Sequence, residues 1–69
     1  MSGVVILANG RQRTAAGGST IADLLASLEL AAAHVVVEYN GEPLARERFG
    51  ETALRSGDTI EIAQMVGGG

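Results

Sequence analysis

The 69-residue sequence has no cysteine, no lysine and no tryptophan, and a single tyrosine, phenylalanine, proline and histidine. Without cysteine there is no disulfide to brace a small core, no thiol nucleophile and no thiolate zinc site. Any sulfur chemistry would draw its sulfur from outside the chain. With Tyr39 and Phe49 as the only aromatics, the core has to be built from Val, Ile, Leu and Ala. The length allows one such core and no second domain. The five basic residues are all arginines (Arg11, Arg13, Arg46, Arg48, Arg55) and the net charge is −3, so the chain lacks a basic footprint for nucleic acid. An activated C-terminus would find no lysine in its own chain to acylate, although codon or composition bias is the favoured account of that absence. The start, Met1 to Ala8, lacks the basic opening and long apolar run of a signal peptide. No apolar run reaches the ~20 residues of a membrane helix. A cytoplasmic protein with no membrane or nucleic-acid partner, monomeric when free, is expected. With one histidine and no metal-ligand cluster, no nucleophile–base pair can be assembled from its own residues, so the chain is not expected to be an enzyme.

What is present reads as alternating strands around one helix. Val4 to Ala8 is β-branched and apolar, a buried strand. Asn9-Gly10 is a strong hairpin signal because both residues tolerate positive φ, and Arg11 to Thr14 returns as a polar edge strand. Ala15 to Ser19 is a loop. Thr20-Ile21-Ala22-Asp23 has the form of a capping box with Asp in place of Glu. A helix then runs to about Leu30, with Ile21, Leu24, Leu25 and Leu28 as its apolar stripe. Gly17-Gly18-Ser19-Thr20 lacks the lysine of a phosphate loop. Val35 to Tyr39 is a strand, and Asn40-Gly41 a second tight turn continued by Glu42-Pro43. Ala45 to Phe49 is a short polar segment with Phe49 on the core. Thr52 to Leu54 is extended, Ser56 to Asp58 turns, and Thr59 to Val66 is the last strand. A strand, a crossover helix and a later strand give an α+β arrangement.

Two features point outward. The first is the end, Gln64-Met65-Val66-Gly67-Gly68-Gly69, where a strand runs into three glycines. A stalk without side chains can enter another protein's narrow active site, so the α-carboxylate of Gly69 is the expected reactive group and Gly67 and Gly68 its tether. The second follows from period-2 alternation. If Val4, Ile6, Ala8, Val35, Val37, Tyr39, Ile60 and Ile62 face the helix, then Val5, Leu7, Val36, Ala63 and Met65 face away. Together with Val66 they are expected to form one apolar patch beside the tail, where a partner would dock.

The Asn9-Gly10 hairpin, Thr20 to Leu25 opening the helix, Val37 to Gly41, Gly57-Asp58 before Ile60-Glu61-Ile62, and Val66 before Gly68-Gly69 resemble the ubiquitin-like β-grasp sulfur carriers, and within them the ThiS family of thiamine biosynthesis. The chain departs from that pattern in having Phe49 where tryptophan is common and three terminal glycines where two suffice. The resemblance implies a β-grasp domain over residues 1–66, with a mixed four- to five-stranded sheet packed on one main helix, and a flexible Gly-rich tail over 67–69. It further implies that an ATP-dependent ThiF-like enzyme adenylates the Gly69 carboxylate. A cysteine desulfurase relay then supplies the sulfur of a thiocarboxylate, and a ThiG-like thiazole synthase takes that sulfur. No cofactor would be bound permanently, since the ATP is the partner's. The small subunit of molybdopterin synthase, with the same tail chemistry, and an inert ubiquitin-like binding module remain the alternatives.

Overall fold

A computed structural model describes residues 3–65. The first strand, β1 (Gly3–Ala8), is joined by the Asn9-Gly10 turn to β2 (Arg11–Ala16). Both turn residues have positive φ, 53° and 79°, which suits a two-residue hairpin loop because it matches the twist of the flanking strands. The helix α1 (Ile21–Ser27) crosses the sheet, and β3 (Val35–Tyr39), β4 (Glu42–Leu44) and β5 (Thr59–Gln64) follow, with single 3-10 turns at Ala32–His34 and Arg46–Arg48. The five strands lie in the order β2-β1-β5-β3-β4. Only β1 and β5 run parallel; the other neighbours are antiparallel. This mixed five-stranded sheet carrying one main helix is the expected α+β, β-grasp architecture.

The capping box is formed. Thr20 Oγ1 accepts from the Asp23 N–H at 3.2 Å and Asp23 Oδ2 accepts from the Thr20 N–H at 2.9 Å, satisfying two donors that a helix start otherwise leaves open. Ile21, Leu24 and Leu25 are buried and meet Ile6, Val35, Val37, Phe49, Leu54 and Ile60 in one core. Phe49 reaches it at the end of the polar Arg46–Arg48 turn, as its isolation among charged residues suggested.

Four boundaries differ from the sequence reading, one of them being β5, which ends at Gln64 and leaves Met65 outside the strand. The helix stops at Ser27, with Leu28 as its C-cap, rather than at Leu30. The Glu29 N–H donates to Ala26 O and the Leu30 N–H to Leu25 O, the paired bonds of a Schellman ending. The residue forced into the left-handed region is Glu29, at φ 61°, so the usual glycine marker is missing. Ala15 and Ala16 extend β2 rather than open a loop, since they pair with Val4 and Gly3. Glu42 to Leu44 is a strand rather than more turn: Pro43 lies opposite Glu38 on an edge strand, where its missing N–H interrupts no ladder.

Candidate functional site

Val66, Gly67, Gly68 and Gly69, which carry the expected chemistry and its tether, lie outside the described residues. What the structure shows is the platform leading to them. At the level of Ala8, β1 ends while β5 continues, because Leu7 pairs with Thr59 and Ala8 with Ile60. Asn9 extends the ladder with its side chain: Oδ1 accepts from the Ile62 N–H at 2.7 Å and Nδ2 donates to Ile62 O at 3.0 Å. On the other side β3 holds β5 through the Val35–Gln64 pair. One step further, the Met65 N–H donates to His34 O at 2.9 Å. The backbone is thus anchored from the β1 side as far as Ile62 and from the β3 side as far as Met65.

The face of the sheet away from α1 carries the expected apolar residues. Val5, Leu7, Val36 and Met65 are 42%, 43%, 54% and 51% exposed, and Ala63 is exposed with them. Strand register divides them into two groups. Val36 is directly opposite Ala63, and Met65 follows two residues along the same face. Leu7 is level with Thr59, four residues back along β5, which is about 13 Å at strand rise, and Val5 is further still. Between the groups the same face presents Glu38 and Glu61, which are cross-strand partners. The single patch expected from alternation is therefore two: Val36, Ala63 and Met65 at the tail end, and Val5 and Leu7 near the Ser56–Asp58 turn.

That turn holds the one buried ionisable group among the described residues, and the sequence reading passed over it. Asp58 is 8% exposed. Its Oδ2 accepts from Tyr39 Oη at 2.7 Å and from the Arg55 N–H at 2.8 Å, and its Oδ1 from Asn40 Nδ2 at 3.1 Å. Asn40 Oδ1 in turn accepts from the Thr59 N–H at 2.8 Å. Burial alone would push the Asp58 carboxyl up. The hydrogen bonds from Tyr39, Arg55 and Asn40, with the Arg55 charge, outweigh it and hold the carboxyl below the ordinary aspartate value. The bond to Asp58, burial and the Asp58 charge together raise the Tyr39 phenol, against a smaller lowering by Arg55. The network locks the β3–β4 turn to the start of β5. Only Gly57-Asp58 as a turn signal was visible beforehand, because Asp58 and Tyr39 are 19 residues apart.

Among the described residues no group of three or more His, Asp or Glu side chains converges as a metal site. No helix among them is long and apolar enough to cross a membrane.

Comparison with known proteins gives the family and the fold. The model of the ThiS family matches residues 6–69. The sulfur carrier protein ThiS of Bacillus subtilis is 50% identical over 50 residues, covering 72% of this chain and 76% of that protein. A thiazole synthase of Magnetococcus marinus is 36% identical over 61 residues, 88% of this chain but only 19% of the longer protein. The crystal structure of a thiamine biosynthesis protein (ThiS) from Geobacter metallireducens superposes with a TM-score of 0.80 at 38% identity, covering 96% of this chain and 100% of that one. Fold, sequence and the run of the match to residue 69 lead to one assignment: the chain belongs to the ThiS family.

Proposed function

We propose that this chain carries sulfur as a thiocarboxylate on Gly69 and delivers it for thiazole formation in thiamine biosynthesis. The observation that supports this most is the family match, which runs through the Gly67-Gly68-Gly69 end rather than stopping with the folded domain. A carboxylate is a poor electrophile until one oxygen becomes part of a good leaving group. In the proposed sequence a ThiF-like enzyme uses ATP to form the Gly69 acyl-adenylate and releases pyrophosphate. The terminal sulfur of a persulfide on a cysteine desulfurase relay then attacks the acyl carbon and displaces AMP, and a second thiol reduces the resulting acyl disulfide, leaving the thiocarboxylate on Gly69 and a disulfide on the sulfur donor. Glycine leaves that carbon uncrowded, and Gly67 and Gly68 allow backbone angles closed to other residues. The catalytic groups and the ATP belong to the partner, and the carrier, a cytoplasmic monomer between encounters, supplies the substrate carboxylate.

The acceptor in this reading is a ThiG-like thiazole synthase. Its support is that two thiazole synthases, from Magnetococcus marinus and Paramagnetospirillum magneticum, each contain a segment similar to this chain within a protein about five times as long. A carrier-like segment joined to the synthase is what direct hand-over between the two would favour, and it weighs for thiamine over molybdopterin. The tail-end patch of Val36, Ala63 and Met65, with Val66 next in sequence, is assigned to docking the adenylating enzyme. Intact-mass measurement tests the reading: after incubation with ATP, the adenylating enzyme and a sulfur donor, the chain gains the mass of one oxygen exchanged for sulfur. Deleting Gly69 abolishes the gain. Wild-type protein that never shows it with active partners defeats the proposal.

A further inference from the structure

The early end of α1 leaves part of the sheet's inner face uncovered. Beyond Ser27 a groove of about 420 Å³ is lined by Arg11, Arg13, Leu28, Leu30, Ile62 and Gln64. Arg11 and Arg13 sit on this side because their register partners, Ala8 and Ile6, are core residues. They are two residues apart on one strand face, about 7 Å. The other three arginines have company. Arg46 donates to Ala32 O and Ala33 O, Arg48 Nε is 3.5 Å from Glu51 Oε1, and Arg55 lies beside Asp58. Among the described residues Arg11 and Arg13 have no ion-pair partner. In a chain of net charge −3, two uncompensated cations therefore stand over a floor of Leu28, Leu30 and Ile62. The strand that carries them, β2, is one of the two edge strands of the sheet, so the groove is open to solvent on that side.

β5 alternates between the two surfaces. Ile62 and Gln64 line the groove, whereas Ala63 and Met65 lie on the opposite face. Two partners can thus address the same stretch of β5 from opposite sides of the sheet. We infer that the groove docks an acidic, apolar extended segment of the sulfur-accepting enzyme. Carboxylates at alternate positions of that segment match Arg11 and Arg13 one for one, and an apolar side chain seats on Leu30 and Ile62. The spacing fits because an extended segment lying in the groove alongside β2 repeats on one face at the same two-residue interval, about 7 Å. The inference rests on the carrier reading and adds to it a second surface, distinct from the one assigned to the adenylating enzyme.

The experiment is a titration of the full chain against purified thiazole synthase and, separately, against the adenylating enzyme, at low and high salt. The R11E/R13E variant is expected to bind the synthase at least about tenfold more weakly, and to lose most of the salt dependence that wild-type binding shows. Its affinity for the adenylating enzyme and its thiocarboxylate yield by intact mass stay as in wild type. R11Q/R13Q, which removes charge without reversing it, gives an intermediate affinity, and circular dichroism confirms that both variants are folded. Equal affinity and equal salt dependence for wild type and both variants overturn the inference. So does a loss confined to the adenylating enzyme, or a change in self-association in place of synthase binding. Absence of the thiocarboxylate in wild type would defeat the carrier reading instead, and the synthase titration reports on the groove independently of it.

Discussion

The Asn9 side chain pairs with both backbone groups of Ile62, taking the place of a strand residue that β1 does not have. The N–H reaches Oδ1 at 2.7 Å and the carbonyl receives Nδ2 at 3.0 Å. Asn9 can do this because it sits in the left-handed region at φ 53°, a conformation that asparagine tolerates better than most residues. Asn9→Gly keeps the turn and removes the clamp. It should cost about 1–2 kcal/mol, one to two net hydrogen bonds, and speed amide exchange at Ile62 beyond what the global loss explains. Asn9→Asp keeps the acceptor and loses the donor, so it should fall between. A glycine variant with wild-type stability and wild-type exchange at Ile62 would show the clamp to be inert.

A second prediction concerns the end of α1. Glu29 occupies the left-handed position that closes the helix, at φ 61°, where a Cβ is unfavourable and glycine is the common solution. Its side chain is exposed and makes no hydrogen bond or ion pair among the described residues. Glu29→Gly should therefore stabilise the fold by about 0.5–1 kcal/mol, seen as a melting temperature higher by about 4 °C for a domain of this size. A lower melting temperature would mean that the Glu29 side chain contributes more than its geometry suggests.

The Asp58 network sets a pH dependence whose sign is fixed. The carboxyl is held below its ordinary value in the fold, so the unfolded chain binds more protons in the interval between the two values. Stability from this group is complete above the unfolded value and is lost as pH falls through the folded one. The Tyr39 phenol is raised, so its contribution is complete below pH ~10 and is lost as pH rises above it. Denaturant titrations should show the acid-side loss in wild type and a flatter curve below pH ~4 in Asp58→Asn. Asp58→Ala should cost about 1–2 kcal/mol at neutral pH, because it removes the bonds from the Tyr39 hydroxyl, the Asn40 amide and the Arg55 N–H, of which Asn40 is exposed and Tyr39 keeps a long contact to Ala53 O. An acid-side slope unchanged in Asp58→Asn would assign the loss to other carboxylates.

The sequence and the fold agree where local chemistry decides and part where pairing decides. Alternation in Val35-Val36-Val37 is enough to place Val36 outside, and Thr20 with Asp23 is enough to start the helix. Both follow from neighbours in the chain. The end of the helix was misplaced because Glu29 adopts a glycine-like conformation without being glycine. β4 was missed because Pro43 argues against a strand until the edge position is known. The division of the apolar patch was not legible at all: alternation assigns a residue to a face, but its level along the sheet depends on the parallel register of β1 against β5, which joins residues some 50 positions apart. Asp58 was hidden for the same reason. Two of its three donors come from β3 and the following turn, the third is the Arg55 backbone N–H, and nothing beside it in sequence marks it as buried.

The division of the patch turns the docking proposal into a contrast between two ends of one surface. Val36, Ala63 and Met65 border the residues that lead into Gly67-Gly68-Gly69, whereas Val5 and Leu7 are separated from them by Glu38 and Glu61. A partner that grips the chain where the tail leaves should lose apolar contact and gain a desolvated charge when either Val36 or Met65 becomes aspartate. Both sites are more than half exposed, so the fold itself should be little affected. Val36→Asp and Met65→Asp should each weaken binding to the adenylating enzyme by about tenfold or more, the effect of losing an anchor near the centre of an interface. Leu7→Asp, on the same face but about 13 Å away along β5, should change binding by less than about twofold. If all three variants weaken it equally, the whole face is the interface and the acidic pair lies within it. If none does, the tail alone carries the recognition.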